Sequence, residues 1–572
     1  MEAVGIDVGG TYTDGVLFDL RSRKIVRKAK VPTRPQDLRS SVLQCFSALQ
    51  LRSPAMLSRF CLSTTLATNA VVEGTKRDVC AIGIGLRPRR PSEYAAETIL
   101  VDGRVGPTGL VEIPLDEGAL QKALKGSESR SFAISSFFGT RNPQNELRAA
   151  EMVLEEHPKA TVVKGSDLVG TLGMEERLYI AVKNAELIHI MAGLLEAIGK
   201  GTQVPGSVTY VLKGDGTLVS TEEAALRPIF TVLSGPAASA LGGAFLAGAK
   251  DALVVDIGGT TTDIALVQGG MLKLSEDGGV VGGSRLRVES AEMTTRALGG
   301  NSEIFCEDGH PKLGHRAVVP LCLAPDPYWH MRDLSYLYPL AGKVHGITPT
   351  DLFCATGRSD FGDRNVAASA MSALAEECEL SLPALIEMLE DLIRTRLLRT
   401  IVEALLNRQL LERGEGEKVL RGNGMLRTVL RIGVPLVGIG APVRAFLDLI
   451  REHVDSPVII PVDHEVGNAL GAICTEVHGR KEVIVRNEPG WIDGREVPHF
   501  HVAVAGGLRV FTDRDEAVGY AIEHATRALR EYMERSRVQR YRVVSEVRDI
   551  TYLEMGLTRH VETIVSVSAG GM

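Results

Sequence analysis

Short apolar runs broken by glycine-bearing polar turns set the rhythm of this chain. Val4-Gly-Ile-Asp-Val8 and Val16-Leu-Phe18 flank one such turn, and Leu253-Val-Val-Asp-Ile257 and Ile264-Ala-Leu-Val267 flank another. Runs this short, bounded by turn residues, predict strands, so each segment is expected to form a β-hairpin. Leu436-Val-Gly-Ile439 predicts a strand entering a Gly-rich turn, and Arg444–Arg451 behind it has apolar residues at helical spacing. Val458–Val462 predicts another strand. Glu465–Ile473 predicts a helix with small residues on one face, which lets a second helix approach closely. From about Lys481 the pattern predicts a small α/β appendage: strands near 482–486, 500–504, 508–511, 540–545 and 562–567, and a helix from about 514 to 536.

The two hairpins are copies of one motif. Asp7-Val-Gly-Gly-Thr-Tyr-Thr-Asp14 and Asp256-Ile-Gly-Gly-Thr-Thr-Thr-Asp263 share Asp-x-Gly-Gly-Thr-x-Thr-Asp. A lone Gly-Gly turn is usually only a turn, but a repeated one led by Asp at a strand end points to a duplicated fold with a job. Glycines let backbone approach a phosphate where a side chain would collide. Successive N–H groups in such a turn form an anion-binding concavity, and Thr hydroxyls add donors. On this reading Gly9, Gly10, Thr11 and Thr13 face one side of a triphosphate, and Gly258, Gly259, Thr260 and Thr261 the other. Asp7 and Asp256 are placed to hold Mg²⁺ through water and to orient the attacking group. Asp263 is a further catalytic candidate, Asp14 a weaker one, and either closing Asp has the plainer role of bracing its own turn. Gly438, Gly440 and Ala441 would lie against adenosine, an ordinary strand–turn–helix junction being the competing view.

The chain has 572 residues, too many for one core, so two to four domains are expected. A net charge of −7 argues against a nucleic-acid partner, which needs a concentrated basic face. Eight cysteines with no CxxC pair read as reduced thiols rather than zinc or cluster ligands. There is no GxxxxGK[ST] loop and no strand-GxGxxG-helix fingerprint. No signal-peptide pattern is seen at the start, and no apolar run is expected to be long enough to cross a bilayer, so a cytoplasmic protein without membrane contact is expected.

With the hairpins in view, the chain resembles the A-type subunit of the hydantoinase/oxoprolinase family over roughly residues 3 to 475. Besides the first hairpin, the resemblance rests on Ser63-Thr-Thr-Leu-Ala-Thr-Asn-Ala70, Phe138-Gly-Thr-Arg-Asn-Pro-Gln-Asn-Glu146, Val211-Leu-Lys-Gly-Asp-Gly-Thr-Leu218, Leu233-Ser-Gly-Pro-Ala-Ala-Ser239 and Leu298-Gly-Gly-Asn-Ser302. Asn145 stands where the family usually has His, and Asn301 where it has Asp. The resemblance implies a two-lobed α/β fold of the actin-like, ribonuclease H-like ATPase kind with a duplicated core. The lobes would be 1–180 and 181–478, with 479–572 a small α/β region. It further implies ATP and Mg²⁺ as cofactors and activation of a carbonyl: opening of a cyclic amide (hydantoin, oxoproline or lactam), or carboxylation of a ketone. A B-type hydantoinase subunit is the implied partner, and self-association is open. Thr64, Thr65, Asn69, Asn301 and Ser302 are the substrate-side candidates, though Ser63–Asn69 also reads as a helix cap.

Two other readings stay open. A small-molecule kinase of the same superfamily would need an Asp base in the first lobe, and only Asp102 stands out. A non-catalytic ATP-dependent activator or regulator is the other. Lys213 and Asp215 read as a hairpin turn. His310, His315, His330 and His345 fall in an irregular insert from about 307 to 349 and read as scattered surface residues, matching no zinc spacing; the insert itself is a candidate lid or subunit contact.

Overall fold

The computed structural model describes residues 1–571 apart from positions 11, 35, 52, 54, 55, 75–77, 86, 90, 108, 171, 172, 202–206, 282, 324–337, 341, 342, 407–419, 421–427, 493, 494, 505, 506, 555 and 556. The chain folds into two compact units. The first comprises Met1–Ser234, Glu276–Ser290 and Thr475–Met572; the second comprises Gly235–Ser275 and Ala291–Cys474.

In the first unit, β1 (Glu2–Val8), β2 (Tyr12–Asp19) and β3 (Lys24–Pro32) form an antiparallel meander. β4 (Leu57–Thr64) lies parallel to β1 on its other side. Every residue of β1 is buried, because the strand is covered on both faces; that is why its apolar run does not alternate. α1 (Leu66–Glu73) follows β4 and stops at Gly74 in the left-handed region. A second, all-parallel sheet holds β5 (Val79–Ile84), β6 (Glu97–Val101), β7 (Ser131–Ser136) and β8 (Thr161–Lys164), the last two joined by α2 (Gln144–Glu156). Phe132, Ile134, Ile82 and Ile84 meet Leu120, Leu124, Ala149 and Val153 in its core. α3 (Met174–Gly201) packs on this sheet. Contrary to the expectation from the apolar runs, its segment Met174–Glu196 is long and apolar enough to cross a membrane; it is 67% buried inside the structure, as a core helix is. β9 (Val208–Leu212) joins β4 in parallel and turns back into β10 (Leu218–Ser220). Asp215 accepts from the Thr217 N–H at 2.8 Å and hydroxyl at 2.7 Å and pairs with Lys213, so this segment is a braced turn.

In the second unit, α4 (Ser234–Leu246) leads into β11 (Ala252–Ile257) and β12 (Thr262–Gln268), the second hairpin. β13 (Met293–Arg296) pairs with β12. β14 (Ser302–Glu307) and β15 (His310–Ala317) make a separate hairpin, so the segment expected to be irregular from 307 begins as regular structure. His310 and His315 are exposed, but His345 is 6% exposed, and His330 lies outside the described residues. α5 (Arg364–Glu377) and α6 (Leu382–Leu406) supply Met371, Leu374, Leu385, Leu389, Ile393 and Leu397 to the core. β16 (Leu436–Ile439) lies parallel to β11, followed by α7 (Val443–Ile450), β17 (Val458–Ile459) and α8 (Gly467–Gly471). The small residues of α8 do what their size allows: a Cβ on Gly471 would stand 1.8 Å from the Ala238 carbonyl oxygen, and one on Gly242 1.9 Å from that of Gly467. α4 and α8 thus touch backbone to backbone.

The remaining chain rejoins the first unit. β18 (Val477–Ile492), β19 (Arg495–Val504), β20 (Gly507–Phe511), α9 (Arg514–Arg535), β21 (Tyr541–Glu554) and β22 (Leu557–Gly571) include every element expected from the tail, the strands mostly longer. They are not a free appendage. β18 pairs with β10 through Leu218 and Val477 and extends the first sheet to eleven strands in the order β20-β19-β18-β10-β9-β4-β1-β2-β3, with β22 and β21 added at β18. Divisions are expected from the sequence at 180 and 478; the chain passes to the second unit after Ser234, returns to the first for Glu276–Ser290, and returns again from Thr475.

Candidate functional site

The sequence repeat is a structural repeat. In the first hairpin Asp7 pairs with Asp14 and Val8 with Thr13; in the second Asp256 pairs with Asp263 and Ile257 with Thr262. The Gly9 N–H donates to the Tyr12 carbonyl at 3.1 Å, and the Gly258 N–H to the Thr261 carbonyl at 2.9 Å. Each turn is thus closed by its first glycine. Those two N–H groups are therefore used within their own turns. A Cβ on Gly9 would stand 2.9 Å from the Tyr12 carbonyl oxygen, so the tight closure requires glycine there, whereas Gly10 faces open space. Thr11 lies outside the described residues.

Each leading carboxylate has a parallel strand end beside it. Asp7, 4% exposed, is level with Ser63 of β4, and Asp256 is level with Ile439 of β16. Just past those partners the two units place equivalent chain. Thr65 donates its N–H at 3.1 Å and its hydroxyl at 3.2 Å to the Val8 carbonyl. Gly440, at φ +95°, lies so near that a Cβ would stand 2.1 Å from the Ile257 carbonyl oxygen and 2.8 Å from Asp256 Oδ1. The Thr64–Thr65 segment therefore stands to Asp7 as the Gly440 turn stands to Asp256. Thr65 occupies the N-cap of α1 without a capping bond, its hydroxyl being spent on Val8; Thr64 Oγ1 accepts from the Leu66 N–H instead. Thr64 is buried and Asn69 exposed.

Several candidates do a different job from the one expected. Thr13 is fully buried and its hydroxyl is bonded to that of Thr33 at 2.9 Å. Its counterpart Thr262 is equally buried and donates to the Leu298 carbonyl at 2.6 Å. Both hold their hairpins and neither is turned to an anion. Gly438 is buried inside β16, where a Cβ would meet Leu447 and Val443 of α7; its size serves helix packing, and only Gly440 and exposed Ala441 of that turn border Asp256 or solvent. Ser302, 2% exposed, accepts from the Gly299 N–H at 2.9 Å and is a brace. Thr260 is exposed and Thr261 half-buried.

The closing aspartates differ. Asp14 pairs with Lys30 at 2.8 Å. Asp263 accepts from Thr295 at 2.5 Å and Thr261 at 3.2 Å. Burial raises the Asp263 pKa above the ordinary carboxylate value, against the lowering effect of the two hydroxyl bonds. Thr295 was not singled out from the sequence, and no local signal marks it: it reaches Asp263 only because β13 pairs with β12. The same is true of His464, whose Nδ1 lies 3.0 Å from the Gly440 carbonyl oxygen.

Residues 3–157 match the model of the hydantoinase/oxoprolinase N-terminal region, and residues 177–415 match that of hydantoinase/oxoprolinase. The chain belongs to the hydantoinase/oxoprolinase family, in its A-type branch. Caprolactamase subunit alpha from Pseudomonas jessenii is 29% identical over 357 residues, 55% of this chain and 50% of that one. The acetophenone carboxylase gamma subunit from Aromatoleum aromaticum is 27% identical over 316 residues, 47% and 42% of the two chains. The chain spans about half the length of these curated relatives. Among solved structures, the ATP-dependent caprolactamase from Pseudomonas jessenii superposes with a TM-score of 0.69 at 19% identity, covering 100% of this chain and 87% of that one. Nucleotide-free acetone carboxylase gives 0.65 at 17%, covering 100% and 88%. These likenesses establish the α/β actin-like ATPase fold.

The two asparagines singled out in the sequence of this hydantoinase/oxoprolinase chain, Asn301 and Asn145, both have defined places. Asn301 zips against the second hairpin: its N–H donates to the Gly259 carbonyl at 2.7 Å, and Gly300 donates to that of Gly258 at 3.0 Å. Its side-chain amide lies 2.9 Å from where a Gly259 Cβ would be. A neutral amide at this place sets no negative charge against the turn. Asn145 is buried at the start of α2, beside Glu146, which is fully buried and accepts from the Ser136 N–H at 2.9 Å and the Ser166 N–H at 3.0 Å. Glu146 is a structural tie between β7 and the chain after β8.

Proposed function

We propose that this chain binds Mg·ATP through its two acidic hairpins and uses it to open a cyclic amide. The observation that supports this most is the duplicated register, Asp7 with Asp14 and Asp256 with Asp263, each carboxylate held at the head of a glycine turn. The names of the relatives, an ATP-dependent caprolactamase and ketone carboxylases, agree with activation of a carbonyl by ATP.

The chemistry follows from the weak electrophilicity of an amide. The amide oxygen attacks the γ-phosphorus, ADP leaves, and the oxygen becomes part of a phosphate leaving group. Water then adds to the carbon, the C–N bond breaks to free the amine and leave an acyl phosphate, and a second water hydrolyses that acyl phosphate to a carboxylate and phosphate. Phosphoryl transfer asks the protein mainly for position and charge neutralisation. The N–H groups of Gly10 and Gly259 and the Thr260 hydroxyl would supply donors, the Thr261 hydroxyl being bonded to Asp263, and Gly440 and Ala441 would border the nucleoside. Among the described residues no three His, Cys, Asp or Glu side chains cluster as a dedicated metal cage. Single carboxylates at Asp7 and Asp256 fit Mg²⁺, which takes one or two protein carboxylates together with phosphate oxygens and water. When bound, the ion would neutralise phosphate charge.

The test is phosphate release from Mg·ATP over a panel of hydantoins, lactams, and ketones with bicarbonate, with the chain alone and with a B-type subunit. Lactam- or hydantoin-dependent phosphate release with ring opening is expected. Ketone- and bicarbonate-dependent turnover would instead assign a carboxylase, the second reading that the acetophenone and acetone carboxylase relatives favour. A stable phosphorylated product would assign a kinase, and no nucleotide binding would overturn the reading.

A further inference from the structure

β21 is an edge strand. It pairs with β22 along its length, and among the described residues it pairs with no other strand. Edges of this kind are usually cut short, bulged, or broken by Pro or Lys, because their unpaired N–H and C=O groups recruit further strands. β21 runs for 14 residues without Pro, Gly or Lys. The irregularity in its pairing, between Ile550 and Thr551, puts the extra residue, Val561, on β22 and leaves β21 regular. Val544 and Val547 are 52% and 43% exposed, so apolar surface lies along the open strand on both faces of the sheet. Glu546 and Arg548 are exposed and have no ion-pair partner among the described residues. Asp549 is held within the chain by Arg514 at 2.6 Å.

We propose that this edge pairs with the same edge of a second copy of the chain, the two strands running antiparallel about a two-fold axis at Val547. In such a contact, wherever residue i faces residue j, j also faces i. Only alternate residues of a strand in an antiparallel ladder turn N–H and C=O toward a given side, so two copies of one strand must match residues of equal parity. The axis therefore passes through a residue and not between two. With the axis at Val547, Glu546 faces Arg548 twice, Val544 faces Ile550, Ser545 faces Asp549 and Val543 faces Thr551, and no like charges meet over this stretch. An axis at Glu546 or Arg548 sets that residue against its own copy. One at Ser545 opposes Arg542 to Arg548, and one at Asp549 opposes two aspartates. Opposite charges and apolar pairs across strands stabilise, whereas like charges directly opposite destabilise. Of these registers, only the one centred on Val547 avoids repulsion. This surface is independent of the nucleotide reading.

The test is sedimentation of the full chain over a dilution series, with circular dichroism to check the fold of each variant. A reversible dimer is expected. Glu546→Arg and Arg548→Glu each set like charges opposite one another twice across the axis, and each should weaken dimerisation by about 10-fold or more. The double variant carrying both exchanges restores opposite charges at both places and should return to within about 3-fold of the wild-type dimer constant. That rescue belongs to this register alone and would not follow from mere structural damage. Val547→Lys, which brings two ammonium groups together at the axis, should also weaken the dimer and carries the test if a single charge variant does not fold. A chain that stays monomeric, a dimer indifferent to the single exchanges, a dimer that the double exchange fails to restore, or a monomer that associates only with a B-type subunit would each overturn the proposal.

Discussion

Gly440 packs its backbone directly against Asp256, with room for a hydrogen and not for a methyl group. At φ +95° an added Cβ would stand 2.8 Å from Asp256 Oδ1 and 2.1 Å from the Ile257 carbonyl oxygen. Both the dihedral and the contact demand glycine. Gly440→Ala is expected to lower stability by roughly 1–3 kcal/mol and to weaken ATP binding at least about 10-fold. Urea unfolding and nucleotide titration measure the two effects; a variant that binds ATP normally would separate this turn from the nucleotide.

Asp256→Asn keeps the shape of the second hairpin and removes its leading charge. Turnover should fall by at least about 10²-fold, the scale for losing one preorganised electrostatic group. Steady-state phosphate release with the activating substrate checks it, and near-normal turnover would count directly against a role for this carboxylate.

Burial holds the Asp263 pKa above its unfolded value. A group raised in this way gives its stabilising contribution fully below the unfolded pKa near 3.8 and loses it as pH rises through the folded value. Wild-type stability relative to Asp263→Asn should therefore decline as pH rises from about 4 toward neutrality. Urea titrations at several pH values test this, and a difference that grows in favour of wild type with rising pH would refute it.

The hairpins could be read in advance because their chemistry is local. A strand, two glycines and a second strand dictate the turn, and a second copy shows that the turn is not incidental. What the hydroxyls do was not readable, because Thr13 finds Thr33 and Thr262 finds Leu298 only after other strands arrive. Gly438 looked like a ligand-facing glycine, yet its neighbours are Leu447 and Val443, one helix later in the chain. The elements of the tail were legible from their periodicity, but their membership of the first sheet was not. That pairing joins Leu218 to Val477, and no local pattern reports it.

Cys45 offers a check on the core of the first unit. It is fully buried behind Gly15, and burial pushes its thiol up to about 12. It should stay protonated and resist alkylation at pH 8, then react at an ordinary thiol rate once the unit is unfolded in urea. Site-resolved mass spectrometry of iodoacetamide labelling decides this; rapid native labelling at Cys45 would mean the meander opens readily.

The seam between β10 and β18 also sets a schedule for synthesis. All residues of the second unit have been made by Cys474, whereas the first sheet is not complete until Val477 and the strands behind it leave the ribosome. Until then the N-terminal strands wait with an open edge at Leu218–Ser220, the kind of edge that recruits stray strands. Production of this chain in a heterologous host should accordingly be limited by how well that edge is shielded during elongation, and slower translation should not help.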